Sequence, residues 1–290
     1  MKRRERAIRL LPPPVKRAAK DIRHALDPLY THRYRRRSGY EGLIPPGHLR
    51  ARTGWPNVAS YIEGGRRTTE QLEGALSTIG RSFNDFDAIL DFGSGCGRML
   101  PHVAERVNGR ARLHGSDVDA EAIEWARQHR PEASWSVNQA EPPLPFPEGK
   151  FDLVYSVSIF THLDEDLQLR WLEDVVRVMR PGGVALLTTH GNEEFDAYRS
   201  GKVVSNTPSC AQRIALHGSL EEERFIHEPY TQSRWTSKDF PGTDHSFGLA
   251  FHSEQYINEA WSNRFDILEI VPRAVASRQD VVVARKPSGR

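Results

Sequence analysis

A chain of 290 residues, 38% of them apolar and 27% charged, is long enough for one large domain with elaborations, or for a core domain plus a small second one. No stretch approaches the roughly 20 consecutive apolar residues of a membrane span, and the charged start MKRRERAIRLLPPPVKRAAK lacks the apolar centre of a secretory signal, so a cytoplasmic location is expected. Two cysteines, Cys96 and Cys210, exclude a disulfide framework or a zinc site of their own. The net charge of +2 conceals an uneven distribution.

Residues 1–37 hold about a dozen Lys and Arg against Glu5, Asp21 and Asp27. This basic arm, which with its connector covers 1–67, reads as short helices whose charge suits an anionic membrane face, another polyanion or plain solvation. Residues 38–70, with IPPGHLRARTGWP and EGGRR, read as a turn-rich connector, and TTEQLEGALSTIG (68–80) as a helix started by a Thr cap. From residue 88 short β-type runs alternate with helical segments. The strands are expected at 88–92, 112–117, 134–139, 151–158, 183–190, 265–272 and 280–286, with helices at 97–107, 119–129 and 165–179. That rhythm predicts an α/β, Rossmann-like, seven-stranded and mostly parallel sheet covered on both faces. The last two runs lie too close together for a helical crossover, so they should form an antiparallel hairpin. Residues 191–253 interrupt the rhythm between the fifth and sixth strands, and an insertion leaving the carboxyl edge of such a sheet is expected to form the substrate side.

The segment AILDFGSGCGRML (88–100) carries Gly93, Gly95 and Gly97 between a strand and a helix, where glycine permits a tight turn and close approach of a ligand. A dinucleotide loop requires glycine at position 98, where this chain has Arg98, and no Lys-Ser/Thr follows as in a P-loop. Asp91, at the strand tip, would repel a pyrophosphate. The loop therefore suits a nucleoside carrying positive charge, and S-adenosylmethionine (SAM) has that chemistry.

At these residues the chain resembles the class I SAM-dependent methyltransferases. Four segments carry the resemblance in order: ILDFGSGCGRM, HGSDVDAEAI, PPLPFPEGKFDLVYSVSIFTHL and VMRPGGVALLTTHG, covering about 60–190 and returning over 250–286. FTHLD, IPP with the following LR, and QDVVV are similar to bacterial enzymes of the Methyltransferase 25 or 11 type, which often accompany glycan or natural-product assembly. The resemblance implies that Asp91, Gly93, Ser94, Gly95 and Gly97 hold the methionine moiety of the cofactor. It further implies that Asp117 takes the ribose hydroxyls, that Val118 packs on the adenine, that Asn138 meets the adenine edge, and that Ser156 and Ser158 line the floor near the sulfonium. Where a common form of the family has Asp shortly before LPF, this chain has Ala140 and Glu141.

A hydroxyl acceptor also needs a base, and a neutral histidine serves that purpose. His190 and His162 rank first because they end strands at the cleft edge, followed by His245 and His252 of the insertion. An NPPY-type loop for amide or adenine methylation is absent, and no metal site is expected; Asp164, Glu165 and Asp166 read as the acidic first turn of a helix. The expectation is O-methylation of a sugar, glycan or other small hydroxylated metabolite, with no specific nucleic acid partner. Two alternatives stay open: an RNA or protein methyltransferase using the basic arm, and a non-catalytic SAM-binding scaffold at a membrane surface.

Overall fold

The computed structural model describes residues 26–107, 109–203, 208–230 and 247–289. Most of the basic arm, two stretches of the insertion and His245 lie outside the described residues. The chain divides into two compact units, Met1–Gly64 and Gly65–Arg290. In the first, α1 (Asp27–Ser38) and α2 (Gly47–Arg52) are joined through Arg50, which is buried, pairs with Asp27 and donates to the Pro45 and Pro56 carbonyls.

The predicted connector is instead largely helical: α3 runs from Val58 to Ser77 straight through EGGRR and the expected Thr cap. Its buried positions, Val58, Tyr61, Ile62, Thr69, Leu72, Ala75 and Leu76, recur at helical spacing. Asn57 caps it, its Oδ1 accepting from the Ser60 N–H at 3.1 Å. Glycine inside this helix is explained by packing. A Cβ on Gly65 would lie 2.4 Å from the Arg98 carbonyl oxygen, whereas a Cβ on Gly74 would meet nothing. Gly65→Ala should therefore destabilise the protein by about 1–3 kcal/mol while Gly74→Ala stabilises it by about 0.5–1 kcal/mol, both read from urea unfolding midpoints.

The second unit is a seven-stranded sheet in the order β3-β2-β1-β4-β5-β9-β8. Its strands are β1 (Ala88–Phe92), β2 (Arg112–Asp117), β3 (Ala133–Val137), β4 (Phe151–Ser156), β5 (Met179–Thr189), β8 (Asp266–Val275) and β9 (Gln279–Arg285). β1 to β5 pair in parallel, and β9 runs antiparallel to both β5 and β8, as the short final connection requires. Alternation along β1 sends Ala88, Leu90 and Phe92 into the core under α6 (Glu165–Val178), and Ile89 into the core under α3, α4 (Leu100–Val107) and α5 (Ala120–His129). Asp164 caps α6, accepting from the Leu167 N–H at 2.9 Å, in keeping with an acidic first turn.

The insertion has its own small core of Phe195, Tyr198, Ile214, Leu220, Ile226, Leu249 and Phe251. It contains α7 (Asn192–Arg199), α8 (Pro208–Ile214), α9 (Leu220–Glu223) and a hairpin of β6 (Phe225–Pro229) with β7 (Gly248–His252). The sheet's sixth and seventh positions in the chain are thus taken by β8 and β9. Among the described residues no helix is long and apolar enough to cross a membrane.

Candidate active site

Strand order reverses between β1 and β4, the point at which open α/β sheets bind ligands beyond their carboxyl ends. Buried side-chain atoms without a hydrogen-bond partner gather at that edge: both Asp91 carboxyl oxygens, the Tyr155 and Ser156 hydroxyls, Thr189 Oγ1 and His190 Nδ1. Orphaned polar atoms cost about 1–3 kcal/mol each, so such a concentration marks a place built for a ligand.

Asp91 and Tyr155 are direct neighbours across β1 and β4. Asp91 is fully buried, and burial pushes its carboxyl up to about 8, against the opposing pull of the Tyr155 hydroxyl and the Arg98 guanidinium. The loop beyond it turns through Gly93, Gly95 and Gly97, all at positive φ. A Cβ on Gly93 would strike Ile159 at 2.6 Å, and one on Gly97 would strike Trp135 at 2.5 Å. Glycine is required twice over at both positions, for conformation and for space.

The loop is tied to β2. The Gly93 and Ser94 N–H groups donate to the Ser116 carbonyl at 2.8 and 3.1 Å, and the Gly95 N–H donates to Asp117 Oδ2 at 2.7 Å. Asp117 Oδ1 accepts from the Asp119 N–H at 2.8 Å. Burial raises Asp117 to about 6, while these N–H groups hold it down. The carboxylate is thereby oriented and keeps lone pairs for further donors. Val118 is half-buried beside it. Asn138 accepts from Ser116 Oγ at 2.8 Å and donates to the Gln139 carbonyl at 2.6 Å, so much of its amide is engaged within the protein.

On the other side, Ser156 ends β4, and Ser158 stands at φ 64° with its N–H donating to Thr188 Oγ1 at 2.8 Å. Its hydroxyl accepts from Gln279 Nε2 at 2.8 Å, which ties the start of β9 into the edge. His162 closes the same loop, half-buried, and burial lowers it to about 4. His190, buried at the end of β5, lies 6.5 Å from it, ring centre to ring centre, and is held well below the usual imidazole range by burial and by the neighbouring His162. His252 Nε2 is 2.8 Å from Gln168 Oε1, and burial lowers it to about 3. The structure therefore brings His162, His190 and His252 together. No group of His, Cys, Asp or Glu among the described residues could hold a metal ion.

Three residues at this edge escaped the sequence reading: Tyr155, Tyr230 and Gln279. Tyr155 could have been found from strand alternation, since it occupies the position in LVYS that sides with Leu153; Tyr230 lies in the insertion, whose pattern carries no period.

Residues 89–183 match the family described as Methyltransferase domain. Among curated proteins, the chain is 28% identical over 142 residues to the biotin biosynthesis bifunctional protein BioHC of Cellvibrio japonicus, an overlap of 46% of this chain and 27% of that protein. It is 29% identical over 148 residues to trans-aconitate 2-methyltransferase of an Azoarcus species, covering 50% of this chain and 55% of that one. The chain thus spans about half or less of these relatives. A crystal structure of a protein from Pyrococcus horikoshii shares the fold with a TM-score of 0.51 at 16% identity, over 75% of this chain and 88% of that one.

Proposed function

We propose that this chain, which carries a class I methyltransferase domain over residues 89–183, binds SAM at the carboxyl edge of the sheet and methylates a hydroxyl of a sugar, glycan or other small hydroxylated metabolite. One observation carries the cofactor reading: a buried carboxyl, Asp91, with neither oxygen satisfied, beside a loop that turns through three glycines at positive φ. A ligand ammonium satisfies that carboxyl, the glycine cradle admits its chain, and the oriented Asp117 is placed to accept from ribose hydroxyls. When bound, SAM supplies an electrophilic methyl group on a sulfonium, and the protein's task is to hold the acceptor in line in a dry site.

The acceptor reading is supported by His162, a neutral, half-buried imidazole on the loop that starts beside the glycine turn. Incubation with SAM and a panel of mono- and oligosaccharides and small hydroxylated metabolites should yield S-adenosylhomocysteine (SAH) with at least one acceptor. Turnover confined to RNA or protein would overturn the acceptor class. A chain that binds neither SAM nor SAH would overturn the whole reading.

A second role is supported by α1, which exposes Leu29 and Tyr30 beside Arg33, Arg36 and Arg37. This face suits peripheral contact with an anionic surface, through the basic arm of residues 1–37. Co-sedimentation with phosphatidylserine vesicles that disappears at high salt supports this role; equal binding to neutral vesicles contradicts it.

A further inference from the structure

The β6/β7 hairpin is stitched to the strand-end loops by main-chain hydrogen bonds. Gly248 N–H donates to the His162 carbonyl at 2.8 Å, Ala250 N–H to Thr161 at 2.9 Å and His252 N–H to His190 at 2.8 Å, and Leu163 pairs antiparallel with Phe247. At the centre of this seam sits the His162 side chain. The Phe247 ring stacks on it with centroids 5.1 Å apart and planes 28° from parallel. Its Nδ1 lies 2.8 Å from the Gly248 carbonyl oxygen and 3.0 Å from the Tyr230 hydroxyl.

A carbonyl oxygen can only accept, so the ring must carry its proton on Nδ1, and a neutral imidazole then has its lone pair on Nε2. Burial keeps the ring neutral at pH 7, lowering it to about 4. Three other described imidazoles lie at this edge, His190, His252 and His227, the last of which bonds to the His162 backbone and acts on both His162 and His252. His190 is buried to 5% exposure, and His252 is engaged with Gln168 and 1% exposed, whereas His162 is half-buried.

We propose that the insertion hairpin is a positioning element of the reaction: the Gly248 carbonyl and the Tyr230 hydroxyl lock His162 in its Nδ1–H tautomer, so that Nε2 takes the proton of the acceptor hydroxyl. This rests on the hydroxyl-acceptor reading given above. As the acceptor oxygen bonds to the methyl group and the sulfur retains the electron pair of the broken bond, the hydroxyl proton passes to Nε2 and from there to solvent. The Nδ1–H, shared between two oxygens, is then the group that spreads the imidazolium charge. Tyr230 and Phe247 are positioning residues in this account, and an undocked hairpin leaves His162 without its tautomer and without its orientation.

Long-range 1H–15N correlation spectra of the full chain labelled with 15N-histidine read the tautomer directly, with the His162 signals identified by their loss in His162→Gln. At pH 7, with and without SAH, His162 should show the Nδ1-protonated pattern, and Tyr230→Phe should shift its Nδ1 resonance. On the hydroxylated acceptor that gives turnover, Tyr230→Phe should lower kcat about tenfold with the KM for SAM unchanged, and His162→Gln should lower it at least a hundredfold. An Nε2-protonated or averaged pattern in the wild-type chain overturns the proposal, as does wild-type turnover by His162→Gln. Failure of the wild-type chain to bind SAH would instead sink the methyltransferase reading, with the tautomer still legible in the same spectra.

Discussion

Asp91→Asn should give a ligand-free protein that is more heat-stable at pH 7 and no longer binds SAM or SAH. Burial raises the Asp91 carboxyl from its ordinary 3.8 to about 8. A carboxyl raised in the folded state contributes stability that is complete below its unfolded value and is lost as pH rises towards the folded one, at about 1.4 kcal/mol per pH unit. At pH 7 the loss reaches about 4 kcal/mol, and an amide of the same shape does not titrate. The expected rise in Tm at pH 7 is on the order of 10 °C, shrinking towards zero at pH 4. On the proposed function an ammonium placed against Asp91 favours the ionised form, so binding at pH 7 should release close to one proton. Calorimetry in two buffers of different ionisation enthalpy measures that proton. A Tm difference that ignores pH, or an Asp91→Asn variant that binds SAH as the wild type does, contradicts the assignment.

The second large effect is acid lability centred on the insertion. His162, His190 and His252 are held neutral by burial, His162 at about 4 and His252 at about 3, against an ordinary 6.5. A base whose folded value is depressed gives up stability as pH falls below its unfolded value, until the folded value is reached. The window is therefore pH 6.5 down to about 4 for His162 and down to about 3 for His252. Three such groups together remove about 4 kcal/mol per pH unit. Asp91 and, below about pH 6, Asp117 work in the opposite direction, each gaining about 1.4 kcal/mol per unit as it is neutralised, while His114, which burial lowers to about 4, adds to the imidazole side, and the imidazoles prevail. Unfolding midpoints in urea should fall between pH 6.5 and 5, and His252→Gln, which keeps a polar end towards Gln168, should flatten the slope by about half. A midpoint that holds constant over that interval would contradict the neutral cluster.

The core sheet was legible because its signals are local. AILDF, RLHGSD and FDLVYS form strands within two residues of their expected ends, and the seven-residue gap before DVVV dictated the antiparallel hairpin. The connector departs from its turn-rich expectation because Gly64 and Gly65 sit inside a helix and not at a turn. Gly65 is set by the Arg98 backbone pressed against it, a contact between residues 33 apart that no local pattern reports. On the proposed cofactor side, Asp91, the three glycines and Asp117 follow strand ends, so their common edge and their neighbours follow from the topology. The acceptor side does not follow from it. His162 could be placed at a strand end, but what holds its ring comes from Tyr230, Phe247 and Gly248, more than 60 residues away along the chain.

The central claim is that the edge formed by Asp91, the glycine loop and Asp117 is a SAM site, and calorimetric titration of SAH into the wild-type chain and into Asp117→Ala tests it most directly. Asp117 accepts from the Gly95 and Asp119 N–H groups and is left to take two ribose hydroxyls. Hydrogen bonds to a charged acceptor contribute about 1.5–3 kcal/mol each, so the alanine variant should lose about a hundredfold or more in affinity. Saturable one-site binding by the wild type, weakened to that extent in the variant, is the predicted result. An Asp117→Ala chain that binds SAH with wild-type affinity, or a wild-type chain that gives no saturable heat, would contradict it.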